Sequence, residues 1–203
     1  MKTTKSILFL FLSLSFGLFT SCSNNDDTSS LVDETEVISR VVLTFTPTQG
    51  GDAITATWFD EDVDGDGEPT IDKIELEEGI EYALSITLTN TLEDPHENTT
   101  AEIAMEDDGH MFFFAFTENL FAAPAGNGNI DNRNDAIIYN DYDKHGHPLG
   151  LSTTWKAGVY TESTGEFTVT LKHQPNIKSA TSTASDGKSD IDITFPIDII
   201  ENP

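Results

Sequence analysis

The sequence has a single cysteine, Cys22. With no second cysteine, an internal disulfide and a dithiol redox pair are both excluded. Basic residues are scarce. Ten Lys and Arg stand against 36 Asp and Glu, a formal charge of −26. A surface of that sign repels phosphate, which excludes nucleic acid and anionic lipid headgroups as partners and favours cations. Apolar runs are short as well. The longest, Ile7 to Phe19, is interrupted by Ser13, Ser15 and Gly17 and falls below the about 20 residues that a membrane-spanning helix needs. Signatures of catalysis are missing: there is no G-x-S-x-G elbow, no H-E-x-x-H pair and no phosphate-cradling glycine loop. With so many carboxylates present, any two of them as a glycosidase pair is uninformative. The chain reads as a non-enzyme.

What is present begins at the N-terminus. Lys2 and Lys5 precede the apolar run, and the run ends at Leu18-Phe19-Thr20-Ser21-Cys22. Charge, short apolar stretch and small residues follow one another in the order of a secretory leader. The last five residues resemble the bacterial lipobox, in which the cysteine carries a thioether-linked diacylglycerol and becomes residue one after cleavage. Several acyl chains make anchoring stable where one gives marginal binding, since each buried methylene contributes about 0.8 kcal/mol. Residues 1–21 are therefore expected to be a lipoprotein signal peptide and Cys22 the lipidation site. Residues 22–35 read as a flexible acidic tether, because Ser23 to Ser30 offer almost no apolar surface to bury. The Asp26-Asp27 pair behind the cysteine resembles the export signal of Bacteroidota surface lipoproteins. That implies an outer-membrane, outward-facing place in the cell envelope.

Residues 36–203 read as one folded domain of short alternating strands. Val41 to Pro47 and Ala53 to Phe59 lie at hairpin distance around Gly50-Gly51. Ile71 to Leu76 is a third strand, and Tyr82, Leu84, Ile86 and Leu88 alternate cleanly in a fourth. Thr99 with Glu102 resembles a capping box that opens one short helix, stopped by Gly109. Met111 to Phe116 is apolar on both faces and reads as the most buried strand. Residues 118–136 read as a long loop, and loops of that length are often functional. Ile137 to Tyr139, Leu151 to Trp155, Glu166 to His173 and Ile191 to Ile200 complete the strands, with a Ser/Thr/Gly-rich loop over 178–189. Turn signals every ten residues or so predict an all-β fold, an antiparallel immunoglobulin-like β-sandwich of about 7–9 strands. Trp58 and Trp155 are expected in its core, facing each other across the sandwich.

Four segments carry a wider resemblance: Val42-Leu43-Thr44-Phe45-Thr46-Pro47, Gly51-Asp52-Ala53-Ile54-Thr55-Ala56-Thr57-Trp58, Leu149-Gly150-Leu151-Ser152-Thr153-Thr154-Trp155 and Leu171-Lys172-His173-Gln174-Pro175. On them the chain resembles small Bacteroidota lipoproteins labelled "type 1 periplasmic binding fold superfamily", found beside TonB-dependent outer-membrane receptors. The resemblance implies a receptor partner and no catalytic residues. The two α/β lobes in that label do not fit a chain without alternating strands and helices.

The sharpest candidate chemistry is the loop Asp60, Asp62, Asp64, Asp66 and Glu68, closed by Asp72. Carboxylates at every second position converge when Gly65 and Gly67 let the chain turn, and calcium takes six to eight such oxygens. The spacing departs from an EF-hand, whose twelfth position is Lys73 here instead of Glu. A solvated acidic hairpin loop is the competing reading. A second loop, Asp141, Asp143, His145 and His147, imitates a calcium turn with His145 in place of an oxygen donor. Its imidazoles suit zinc or copper better, and a plain Gly/Pro turn is favoured over either. His96, His110 and His173 are scattered, each more simply a strand-end donor to a carbonyl.

Three functions compete on these residues. The first is a lipid-anchored, calcium-stabilised binding or accessory component of a TonB-dependent receptor. The second is capture of zinc, copper or iron by His110, His145, His147 and His173. The third is a carbohydrate-binding or adhesive module built on loop 118–136.

Overall fold

A computed structural model of the protein describes residues 36–63, 65 and 67–202. The described residues belong to one compact unit. Cys22, Asp64, Asp66, the leader and the tether to residue 35 lie outside the described residues. No helix among the described residues is long and apolar enough to cross a membrane.

The chain folds as the expected all-β sandwich. Among the described residues its strands are β1 (Arg40–Pro47), β2 (Ile54–Phe59), β3 (Thr70–Ile71), β4 (Ile74–Glu77), β5 (Glu81–Thr89), β6 (His110–Phe116), β7 (Phe121–Ala123), β8 (Ile138–Tyr139), β9 (Ser152–Ala157), β10 (Gly165–His173) and β11 (Lys188–Ile200), with one helix, α1 (Thr99–Met105). The first sheet runs β3-β2-β1-β5-β9-β7, with β8 also on β9, and the second runs β4-β11-β10-β6. Pairing is antiparallel except between β4 and β11, which run parallel.

Period-two alternation explains most of this. Val41, Leu43 and Phe45 of β1 and Leu84, Ile86 and Leu88 of β5 point into the core with Trp155 of β9. Facing them from the second sheet are Phe112, Phe114, Phe167, Val169, Phe195 and Ile197. Trp155 is the hub. Its ring meets Phe114, Phe116, Phe121 and Phe167 at centroid separations of 4.8 to 5.5 Å, mostly edge to face, the arrangement aromatic quadrupoles prefer. Its indole N–H donates to Thr153 Oγ1 at 2.7 Å. Trp58 does not face it across the sandwich. Both tryptophans belong to the first sheet, and Trp58 sits half-buried near that sheet's β3 edge.

Three local expectations are corrected. The strand expected over Ile71 to Leu76 is two strands in different sheets. Asp72 donates its N–H to the Thr57 carbonyl and takes the Thr57 N–H on its carboxylate, holding β3 to β2. Lys73 then turns to Asp198 of β11, so β4 starts in the other sheet. The helix cap is Asn98 and not Thr99: Asn98 Oδ1 accepts the Ala101 N–H, while Thr99 is helical and buried. Loop 118–136 is also more ordered than a free loop, for it contains β7.

That segment closes the open edge of β6. Asn129 is fully buried, donates its N–H to the Phe114 carbonyl at 2.7 Å and accepts the Phe114 N–H on its side-chain oxygen at 3.0 Å. One residue thus imitates a strand neighbour. Its amide also donates to Tyr139 Oη, whose hydroxyl donates to the Phe112 carbonyl. Gly128 makes the approach feasible: its φ is +100°, and a Cβ there would lie 2.0 Å from the Phe114 carbonyl oxygen. Asn129→Ala leaves the Phe114 N–H and the Tyr139 hydroxyl oxygen unmet. Each buried orphan costs about 1–3 kcal/mol, so the expected loss is about 2–6 kcal/mol, read as a lower urea midpoint with unchanged slope.

Candidate functional site

The polar groups that the fold buries collect at one end of the second sheet. His110 opens β6 and His173 closes β10, and the antiparallel register sets them directly opposite each other. Directly opposed residues project to the same face. Their rings lie stacked, centroids 4.6 Å apart and planes 5° apart. His110 is fully buried and His173 nearly so. Glu106, the C-cap of α1, roofs the pair from the solvent side.

The third wall comes from a β-bulge. Leu171 pairs with Ile191 but Lys172 pairs with Ser189, so Asp190 is the extra residue of β11. Simple alternation puts Asp190 on the outer face with Asp192. The bulge turns it inward, as bulges do when they re-aim a side chain. Its carboxylate is fully buried, with Oδ2 3.6 Å from His110 Nε2, while Oδ1 accepts the Glu36 N–H at 3.3 Å. Gly187 permits this path. Its φ is +73°, and a Cβ would stand 2.1 Å from the His173 carbonyl oxygen.

His110 Nδ1 lies 3.1 Å from the Glu106 carbonyl, which can only accept, so Nδ1 carries the proton and neutral Nε2 presents a lone pair. That lone pair faces Asp190 Oδ2, and neither atom finds a hydrogen-bond partner among the described residues. Burial drives the His110 pKa down to about 4, against the Glu106 carbonyl and with help from the positive fields of His173 and Lys178. Burial likewise pushes Asp190 up to about 6, against the Glu36 N–H and the fields of His173 and Lys172.

The loop Asp141 to His147 docks beside this cluster. Asp141 Oδ1 and Oδ2 accept the Gly150 and Ser152 N–H groups. Asp143 Oδ1 accepts the N–H groups of His145 and His147, and its Oδ2 lies 3.2 Å from a buried Lys178 ammonium. Lys178 also donates to the Asp107 carbonyl at 2.6 Å. Burial raises the Asp143 carboxyl, but the two N–H groups and Lys178 outweigh it and hold it below its usual range. Both carboxylates are thus spent on the loop's own backbone and on a lysine. His145 is exposed, whereas His147 is half-buried with its Nδ1 3.4 Å from Asp143 Oδ2, and the two rings stand 6.1 Å apart.

The first acidic loop is exposed over Glu61 to Glu68 wherever it is described. Asp60 Oδ1 accepts the N–H groups of Asp62 and Val63, folding the turn back on itself. Asp62 packs against Gly65 and Gly67, Glu68 is exposed, and Asp72 is committed to Thr57. Among the described residues, the group with metal-ligand spacing is Glu106, His110 and His173, whose ligand atoms lie within 4.8 Å of one another. Of the four histidines in the metal-capture reading, the fold pairs His110 with His173 and leaves His145 and His147 outside the group; Glu106, Asp190 and Lys178 were not among the candidates. No family model, curated protein or solved structure matches the chain.

The two shifted groups pull stability in opposite directions with pH. For His110 the unfolded chain takes a proton near 6.5 and the fold only near 4, so this residue costs stability as pH falls between them. For Asp190 the fold takes the proton near 6 and the unfolded chain near 3.8, so stability rises as pH falls through that window. His173 acts on both groups, Lys178 on His110, and Glu36 and Lys172 on Asp190. Asp190→Asn is expected to steepen acid destabilisation relative to wild type, and His110→Gln to reverse its sign. Urea denaturation at about pH 4.5 and about pH 7 measures both. Parallel pH profiles for the three proteins would refute the assignment.

Proposed function

We propose that the chain is a lipid-anchored protein of the cell envelope, held at the outer membrane through Cys22. Its β-sandwich acts as a non-enzymatic binding or accessory component beside a TonB-dependent receptor. The observation that carries this is the order of segments before the domain. Lys2 and Lys5, a short apolar run, small residues, a lone cysteine and an acidic tether all precede a strand system that begins at Arg40. The resemblance of four segments to receptor-associated Bacteroidota lipoproteins supports the choice of partner. A formal charge of −26 supports a protein or cationic partner over nucleic acid.

Anchoring is tested by feeding cells an alkyne-bearing fatty acid. The full chain is expected to take up label and to lose it completely on Cys22→Ala. Unchanged labelling in that variant, or none in the wild type, would sink the anchor.

In the same reading calcium stabilises the domain through Asp60, Asp62, Asp64, Asp66, Glu68 and Asp72. Support comes from carboxylates at every second position of the sequence, on a turn that folds back at Asp60. Calcium at about 100 times its Kd adds about 2.7 kcal/mol, and a chain of this size gains about 2–4 °C per kcal/mol. Calorimetry is expected to show Tm rising by about 5–10 °C with calcium, and by nothing in Asp60→Ala with Asp62→Ala. A wild-type Tm indifferent to calcium leaves the loop a solvated turn.

A further inference from the structure

We propose that Glu106, His110, His173 and Asp190 form a binding site for one borderline divalent transition-metal ion of the zinc class. The site goes beyond the anchoring and calcium roles and shares no residue with them.

Geometry comes first. Zinc binds imidazole nitrogen at about 2.0–2.1 Å and carboxylate oxygen at about 2.0–2.2 Å, so two ligands of one tetrahedral ion stand about 3.4 Å apart. His110 Nε2 and Asp190 Oδ2 stand 3.6 Å apart, both buried and both without a hydrogen-bond partner. Glu106, His110 and His173 bring ligand atoms within 4.8 Å of one another. Two imidazoles with carboxylates are a donor set for zinc or copper and a poor one for calcium, which takes oxygen.

The surroundings already supply what a metal site needs outside its ligands. The Glu106 carbonyl fixes the His110 tautomer so that Nε2 is the open nitrogen, the outer-shell device that orients ligating histidines. The Glu36 N–H holds Asp190 Oδ1 and leaves Oδ2 for the ion. The two buried lysines nearby are committed elsewhere, Lys178 to Asp143 and the Asp107 carbonyl and Lys172 to Ser189 Oγ. Entry is from the side of Glu106, which is exposed, and His173, which is 8% exposed. An imidazole lone pair lies in its ring plane, so two parallel rings cannot both meet one ion. Loading therefore turns the His173 ring out of the stack.

The test uses the purified full chain in detergent, with an affinity tag free of histidine and metal stripped by a chelator. Titration calorimetry with zinc chloride is expected to give one ion per chain. His173→Gln should weaken it by at least the about 10–100-fold that losing even an outer-shell partner costs. Glu106→Gln, at an exposed helix cap, keeps the fold and should also weaken binding, so the site stays testable if His173→Gln fails to fold. His145→Ala with His147→Ala should leave the affinity unchanged. X-ray absorption at the zinc edge should show nitrogen and oxygen neighbours at about 2.0–2.2 Å. Absence of zinc binding at millimolar ion overturns the proposal. So does binding that survives both His173→Gln and Glu106→Gln, or that disappears with His145 and His147. Fatty-acid labelling of Cys22 and the calcium response report on the anchored-protein reading separately from any of these results.

Discussion

Strand β6 imposes the constraint on which the rest of the sandwich depends. Met111, Phe112, Phe113 and Phe114 are all fully buried, so the strand is apolar on both faces, yet it stands at the edge of its sheet. An edge strand exposes unpaired N–H and C=O groups and invites pairing with other chains. The fold answers with chain that is not itself strand. Asn129 pairs with Phe114 through both backbone and side chain, and the Phe112 N–H donates to the Leu149 carbonyl. Segment 118–136 and the loop ending at Leu149 are thus held in place by the need to cover one strand. Trp155 does the same work inside, joining the β6 phenylalanines to β7 and β10.

Closing that edge also fixes the polar end of the molecule. With β6 locked, its first residue, His110, is buried opposite His173, and the loop from Asp141 to Leu149 is pressed against the turn after α1. The Asp143–Lys178 pair and the Lys144–Asp108 pair then tie that loop to the chain on either side of β6 and β10. An acidic turn that resembles a cation loop in sequence becomes, by this docking, a brace. Its carboxylates accept four backbone N–H groups among them.

The sandwich was legible because alternation is a local signal, visible wherever one strand face is buried and the other wet. Val41 to Pro47, Tyr82 to Thr89 and Met111 to Phe116 stand where period and composition put them. What failed to be legible depends on partners distant in sequence. The break between β3 and β4 comes from Asp72 binding Thr57 and Lys73 binding Asp198, and neither partner is visible locally. Asn98 took the cap because its side chain reaches Ala101, a choice that Thr99 and Glu102 disguised. The tryptophans ended in one sheet because strand order is not written in alternation. The polar cluster was half legible: five histidines invite pairing, but only register joins His110 to His173, and only a bulge brings in Asp190.

That bulge bears on why the cluster exists. Continuing the alternation would leave Asp190 outside beside Asp192, with Ile191 and Ile193 still in the core. The observed path instead buries a carboxylate and sets a lone pair of His110 against it, and leaving such groups unmet costs about 1–3 kcal/mol each. A well-packed apolar pair of similar volume is commonly as stable as a buried ionic one, or more so. Cohesion alone therefore does not account for His110, His173 and Asp190 at this position. The single ion proposed for this cluster is an arrangement that meets both atoms at once, at a place where they stand 3.6 Å apart.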